Sequence, residues 1–377
     1  MSMSDVRIPL IKVSGDPRER GRQHGEAARD RILLSIEAYR GSFSAAAGLD
    51  WNQVCELAPQ WLPLVEAYNG PELVEELHGI AEGAGVTLGD VLALNGRGDL
   101  SYTNPFATEE CSAWAILDEA SPDGHVYCGQ NWDWRLATQE TVIMLRIEQP
   151  GKPTIVMQTE AGQIGRQGAN SSGLALNATG LGPRWGQGLR LPQPYIRRRI
   201  LDSWTMNEAL EAIFRSNQSV SSNLLLTHRD GFAIDVESTP GRHGWGYPTD
   251  GVIVHTNHFV YFVPPQIEGT YRPAVADSLI RLERIQSVLR RVGETRSGEE
   301  LRALVREAMT DHFSHPNSVC NHPDEREPMA ARMQTVASTI VDLTTGEYRL
   351  SHGPPCANDY ELLPWNLYAA APLAAAA

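Results

Sequence analysis

The sequence is short of cysteine, of basic charge and of long apolar runs, and each shortage closes off a class of protein. Five cysteines in 377 residues, Cys55, Cys111, Cys128, Cys320 and Cys356, are an odd number, widely spaced, in a chain large enough to bury a core without covalent staples. Free thiols are expected, not a disulfide framework. No stretch approaches the roughly 20 continuous apolar residues of a membrane-spanning helix. The first 12 residues lack the basic start and apolar stretch of a secretory signal, so a cytoplasmic protein is expected. Lys and Arg total 32 against 46 Asp and Glu, a net charge of −14. No basic run could track a phosphate backbone or an anionic membrane, so neither nucleic acid nor a membrane is an expected partner.

What is present is a globular composition, 42% hydrophobic over a length that suits one large domain or two ordinary ones. From about residue 16 to 100 the apolar residues recur at helical spacing, as in Ile32, Leu33, Ile36 and Tyr39, then Leu73, Val74, Leu77, Ile80 and Ala81. After Asn104-Pro105 short strand-like runs take over, at 112–117, 125–129, 141–148, 154–159 and 174–177. Turn signals such as Pro122-Asp123-Gly124 separate them, which predicts antiparallel hairpins. Helices are predicted at 195–204, 207–216, 274–292 and 298–309. Strands fall at 223–227, 232–237 and 252–256, with a last hairpin at 338–343 and 347–351. Helices both precede and interrupt the hairpins, which predicts an α+β layered domain.

Cys111 lies at the junction between the helical segment and the first predicted strand, in Glu109-Glu110-Cys111-Ser112-Ala113-Trp114. Taken alone it reads as a small buried apolar residue, as most free cysteines are. Its position allows a second reading. The thiol could attack the Glu110 carbonyl, and hydrolysis of the thioester would leave a chain beginning at Cys111. The new α-amine, with an intrinsic pKa of about 7.7 to 8.0, could then act as base for its own thiol. Gly129-Gln130-Asn131-Trp132-Asp133-Trp134 closes the next predicted strand and would return Asp133 toward Cys111, where it could hold an ammonium or simply cap a turn.

Glu110-Cys111-Ser112 followed by Gly129-Gln130-Asn131-Trp132-Asp133-Trp134 resembles the acyl-coenzyme A:6-aminopenicillanic acid acyltransferase family, peptidase family C45. That family belongs to the N-terminal nucleophile hydrolases and is similar in its core to the choloylglycine hydrolases. The resemblance runs from about residue 14 to 355. It takes in Gly21-Arg22-Gln23-His24-Gly25, Glu72-Leu73-Val74-Glu75-Glu76-Leu77-His78-Gly79, Asn170-Ser171-Ser172-Gly173-Leu174-Ala175-Leu176-Asn177, His255-Thr256-Asn257-His258-Phe259 and Asp311-His312-Phe313-Ser314-His315-Pro316. It implies a four-layer αββα sandwich and an enzyme acting on non-peptide amide bonds as hydrolase or N-acyltransferase, with no cofactor. Cys111 would be the autocatalytic and acylated nucleophile, Asp133 the acid of the Asn-Trp-Asp motif, Asn257 the oxyanion donor and Asn177 a second asparagine of the site. Arg332 is the candidate for a late arginine. Two departures stand out: Glu110 replaces the glycine before the nucleophile, and Gln130 replaces an arginine of the choloylglycine hydrolases, which disfavours a bile-acid-like substrate.

Cleavage between Glu110 and Cys111 would give a helical α chain, 1–110, that stays bound to a β chain, 111–377, bearing both sheets. The expected partners are a small-molecule amide or acyl donor and the two fragments themselves, with homo-oligomerisation left open. Arg184 and Trp185 are candidates to line the substrate pocket. The competing readings are an unprocessed cysteine amidase using Cys111 with His255 or His258, and a ligand-binding relative without catalysis. His312, His315, Cys320 and His322 carry metal-binding atoms, but their spacing fits no standard zinc pattern, so no metal is expected and the loop is read as support for the site.

Overall fold

A computed structural model describes residues 7–101, 110–182 and 188–369. The chain opens with β1 (Leu10–Ser14), followed by helices α1 (Pro17–Ala27), α2 (Arg29–Ala47), α3 (Trp51–Leu57), α4 (Leu62–Asn69), α5 (Pro71–Ala84) and α6 (Leu88–Ser101). Asp16 caps α1 by accepting from the Glu19 amide, and Asp50 and Gln53 form a capping box on α3. The expected amphipathic face of α5 is buried at Leu73, Leu77, Ile80 and Ala84.

Helices α1 and α5 meet backbone to backbone. A side-chain carbon on Gly21 or Gly79 would run into the carbonyl oxygen of Glu76 or Arg18 on the other helix. Glu76 lies in this contact and accepts from Arg20 Nη2 at 3.1 Å and from Arg198 Nη1 and Nη2 at 2.7 and 2.9 Å.

The rest of the chain builds most of two sheets. Strands β4 (Val142–Glu148), β5 (Ile155–Glu160), β6 (Gln167–Asn170), β7 (Leu174–Gly180), β8 (Ser222–His228), β9 (Phe232–Ser238) and β10 (His243–Gly246) follow one another across the first sheet, with β1 added parallel to β4 at its edge. The second runs β11 (Val252–His255), β2 (Glu110–Ile116), β3 (Tyr127–Arg135), β12 (Met333–Asp342), β13 (Glu347–Ser351) and β14 (Glu361–Leu362). Helices α7 (Gln193–Leu201), α8 (Met206–Phe214), α9 (Asp277–Leu289) and α10 (Gly298–Met309) complete the α-helices among the described residues.

Strand alternation fixes the layers. Cys111, Ala113 and Ala115 of β2 face the first sheet and pack with Val142, Met144, Val156, Ala175 and Leu225. Trp114 and Ile116 face the other way, onto Ile285 and Leu289 of α9 and Leu301 and Val305 of α10. The far face of the first sheet, through Ile143, Leu145, Leu176 and Leu224, buries against Ile32, Leu77, Ile80 and Ile196. The order is therefore helices, sheet, sheet, helices: the αββα sandwich. Among the described residues no helix is long and apolar enough to cross a membrane.

Two expectations need correction. The segment before Cys111 is not wholly helical, because β1 joins the first sheet; its five residues, alternately exposed and buried, are too short for a clear strand signal. The polar run 129–134 does not close a strand but lies within β3, which pairs with β2 through Asp133. Its polar side chains are satisfied across the layers: Asn131 Nδ2 donates to the Met309 and Val319 carbonyls at 2.9 and 2.8 Å.

Candidate active site

Cys111 is the second residue of β2, fully buried, opposite Trp132 on β3. On its other side runs β11, with His255 opposite Ala113, and just beyond that strand's end the chain brings Asn257 alongside Cys111. Asn257 Oδ1 accepts from the Cys111 backbone N–H at 2.8 Å, and its Nδ2 donates to the Gly180 carbonyl at 2.9 Å, tying the end of β7 to the nucleophile.

The arginine of this site is Arg281, which was not read from the sequence. Its Nη1 donates to the Cys111 carbonyl at 2.8 Å and to Ser112 Oγ at 3.0 Å, its Nη2 to Asn257 Oδ1 at 2.8 Å, and its Nε to Asp277 Oδ2 at 2.6 Å. The same helical turn supplies Ser278, whose Oγ accepts from the Asn257 backbone N–H at 2.7 Å. A signal was available: Ser278, Arg281, Ile285 and Leu289 share the buried stripe of α9, where a guanidinium needs a purpose. Arg332, the residue expected in this role, instead turns its guanidinium to the Glu327 and Glu325 carbonyls at 3.0 Å each.

The other candidates lie close by. Asp133 is opposite Glu110, one residue from the Cys111 position, and its Oδ1 accepts from Thr335 Oγ1 at 2.5 Å. The pleat thus turns it to the face opposite Trp132. Asn177 of β7 reaches the strand pair through Gln130: its Nδ2 donates to Gln130 Oε1 at 3.4 Å, and that same oxygen accepts from the Ala178 N–H at 2.9 Å. Gln130 therefore stitches the two sheets together, a neutral contact where an arginine was the comparison. Arg184 and Trp185 lie outside the described residues.

The hydrogen bonds of the two nearby histidines go to groups other than Cys111. His255 Nε2 is 3.0 Å from Glu237 Oε1 and its Nδ1 2.8 Å from the Thr256 carbonyl, so both ring nitrogens are engaged. Burial lowers its pKa, but the Asp235 and Glu237 carboxylates outweigh burial and hold it above the ordinary histidine value. His258 Nδ1 lies 2.8 Å from Ser278 Oγ, and burial, with the charges of His255 and Arg281, pushes it down to about 4. It is a neutral ring that supports Ser278.

A small cavity adjoins Gly180 and is lined by Arg97, Arg166 and Arg197, all nearly fully buried, with Asp99 and Gln193. The Arg166 guanidinium stacks on the Trp132 ring, 4.0 Å from its centroid, so positive charge lies beside the residue that faces Cys111 across the hairpin.

A four-layer αββα sandwich with a buried cysteine heading a central strand is the architecture of the N-terminal nucleophile hydrolases. Within that class the chain belongs to the acyl-coenzyme A:6-aminopenicillanic acid acyl-transferase family, whose match covers residues 120–353 and so includes Asp133, Asn177, Asn257 and Arg281 but begins after Cys111. It is 33% identical over 249 residues to the 40 kDa form of acyl-coenzyme A:6-aminopenicillanic-acid-acyltransferase of Emericella nidulans, covering 66% of this chain and 68% of that protein. Among solved structures, penicillin V acylase from Agrobacterium tumefaciens is 16% identical at a TM-score of 0.42, covering 64% of this chain and 83% of that one. A mutant form of conjugated bile acid hydrolase from Clostridium perfringens is 12% identical at a TM-score of 0.44, over 68% and 97%. The protein is an enzyme of amide C–N bonds, working by hydrolysis or acyl transfer.

Proposed function

We propose that this is a cysteine N-terminal nucleophile enzyme that activates itself by cutting the Glu110–Cys111 bond and then works through an acyl-Cys111 intermediate. One observation carries the reading: the Cys111 backbone nitrogen, which cleavage would turn into the catalytic amine, is held at 2.8 Å by Asn257 Oδ1. In the precursor, the thiol adds to the Glu110 carbonyl and passes its proton to the departing Cys111 nitrogen, giving a thioester. Water then releases the Glu110 carboxylate and a free Cys111 thiol.

In the mature enzyme the α-amine takes the thiol proton, sulfur attacks the substrate carbonyl, and the amine returns the proton to the leaving nitrogen. Arg281, bound to the Cys111 carbonyl, disfavours a second positive charge on that amine and so keeps it available as a base. Asn257 would stabilise the oxyanion through the Nδ2 hydrogen that it does not give to Gly180, Asn177 would line the pocket, and Asp133, on the other face of β3, would act on the Cys111 amine from the strand end rather than on the thiol. Water resolves the acyl enzyme in hydrolysis, and a second amine does so in acyl transfer. Arg166 stacked on Trp132 favours a small-molecule amide or acyl donor bearing an anionic or aromatic group, with Arg184 and Trp185 as further candidates at the pocket. The fragments 1–110 and 111–377 stay together, because β1 pairs with β4 and the N-terminal helices share a core with the first sheet.

Intact mass and a denaturing gel test this directly. The purified protein is expected as two fragments split before Cys111, and Cys111→Ala as a single inactive 41.5 kDa chain. Cleavage at that bond in the alanine variant would sink the proposal. An uncut wild-type chain that turns over amides would favour an unprocessed amidase, and an uncut inert one a binding protein. In the processed enzyme Asn257→Ala is expected to lower kcat by roughly 10²- to 10³-fold.

A further inference from the structure

We infer that His312, Cys320, His322 and Cys356 form a zinc site, separate from the catalytic cysteine, an inference that does not rest on the mechanism above. The four side chains come from two loops, one between α10 and β12 and one after β13, and their ligand atoms all lie within 4.8 Å of one another. His322 Nε2 lies 3.1 Å from His312 Nε2, 3.6 Å from Cys320 Sγ and 3.4 Å from Cys356 Sγ. A single ring nitrogen carries at most one hydrogen and could satisfy only one of these three neighbours. Four lone-pair donors converging on one point are what a cation resolves.

The dimensions fit. With Zn–S bonds of about 2.3 Å and Zn–N bonds of about 2.0 to 2.1 Å, a tetrahedral site has ligand-to-ligand edges of about 3.3 to 3.8 Å. The two contacts from His322 to sulfur, 3.6 and 3.4 Å, fall in that range, the 3.1 Å contact to His312 lies just under it, and the other pairs, all within 4.8 Å, would close slightly on the ion. Two thiolates would neutralise the dication, and two sulfurs with two imidazoles are a donor set that selects zinc over magnesium or calcium. The sequence hid the site because its fourth ligand, Cys356, is 34 residues beyond His322, as their contact shows. His315, nearer in sequence, is not in the set.

The position gives the metal a purpose. Cys320 and His322 flank Asn321, whose backbone N–H donates to Thr335 Oγ1 at 3.0 Å and whose carbonyl accepts from the Thr335 N–H at 3.1 Å. Thr335 in turn donates to Asp133. Zinc would thus clamp the loop that positions Asp133, as a structural ion with all four positions filled by protein.

The full-length protein, produced with zinc in the medium, is expected to retain about one zinc per chain by elemental analysis. Replacement by cobalt(II) after chelation should give the thiolate-to-cobalt charge-transfer band and visible absorption of a tetrahedral site. Cys356→Ser and His322→Ala should lose the metal, whereas His315→Ala should keep it. If a variant fails to fold, the cobalt spectrum of the unaltered chain decides. No retained zinc together with no thiolate band would overturn the inference, and so would an intact mass lighter by two hydrogens from a Cys320–Cys356 disulfide.

Discussion

Arg281 commits a buried guanidinium to the nucleophile's own carbonyl, to the side chain of the next residue, to Asn257 and to Asp277. Only the planar fork of arginine spans these acceptors at once; a lysine ammonium is a point charge on a flexible stem. Arg281→Lys is therefore expected to process slowly and to lower kcat/KM by on the order of 10²-fold through misplacement of Asn257. Arg281→Gln should do more, because it also removes a positive charge beside the α-amine. That amine would then hold its proton to higher pH, so the acid limb of the kcat/KM profile should move upward in Arg281→Gln and stay near its place in Arg281→Lys. A loss of rate with no movement of the limb in either variant would leave Arg281 a merely structural residue. At this scale the motifs made legible which residues lie together, Asn257 against the Cys111 N–H and Asp133 on the strand paired with it. The sequence was opaque for Arg281, whose meaning depends on which face of α9 is buried.

Elements were legible where apolar periodicity is strong and illegible where polar side chains satisfy one another across layers. The Pro122-Asp123-Gly124 turn and the strand-like run 112–117 gave the β2–β3 hairpin, yet β3 continues through Asn131, which donates to carbonyls outside the sheet, and Asp133, which accepts from Thr335 on the neighbouring strand β12. Strands β6, β10 and β14 are four residues or fewer and carry little pattern of their own. The glycines of α1 and α5 were visible as motif residues, but their reason is the contact: a methyl on Gly79 would meet the Arg18 backbone, which cannot step aside as a side chain can. Gly79→Ala is accordingly expected to destabilise by about 1 to 3 kcal/mol through overpacking, more than the gain of up to about 1 kcal/mol in helix propensity. Gly41, within α2 and with nothing within 4 Å of its added carbon, should respond to the same change with a gain of about 0.5 to 1 kcal/mol. Urea midpoints of the two variants should move in opposite directions; equal movements would mean that α1 and α5 are not tightly packed.

The whole molecule, if cut as proposed, must hold two fragments together without a covalent link, and buried titratable groups join the two segments. Glu76 of the N-terminal segment is gripped by Arg198 of the other, and His24 Nε2 accepts from the Gly162 N–H at 3.2 Å. Burial alone would raise the Glu76 pKa, but Arg198 and Arg20 overcome it and hold it at about 2 from an ordinary 4.5. Burial lowers His24 from 6.5 to about 4. Both groups therefore bind protons more readily when unfolded, and stability must fall as pH falls. The His24 contribution is complete above pH 6.5 and is lost between there and about 4; that of Glu76 is complete above about 4.5 and is lost toward 2. Each shift corresponds to on the order of 3 kcal/mol, comparable with much of a domain's net stability. Denaturant unfolding followed from pH 7 to 3 should thus show a first decline near pH 6 and a second below 4.5, accompanied by separation of the fragments in size-exclusion chromatography. Glu76→Gln should be less stable at pH 7, because it leaves Arg20 buried without its carboxylate and Arg198 with the carboxylate of Asp202 alone, and should lose the lower decline while keeping the upper one. If the glutamine variant keeps the full acid dependence of the parent, the grip between the fragments lies elsewhere than in this buried triad.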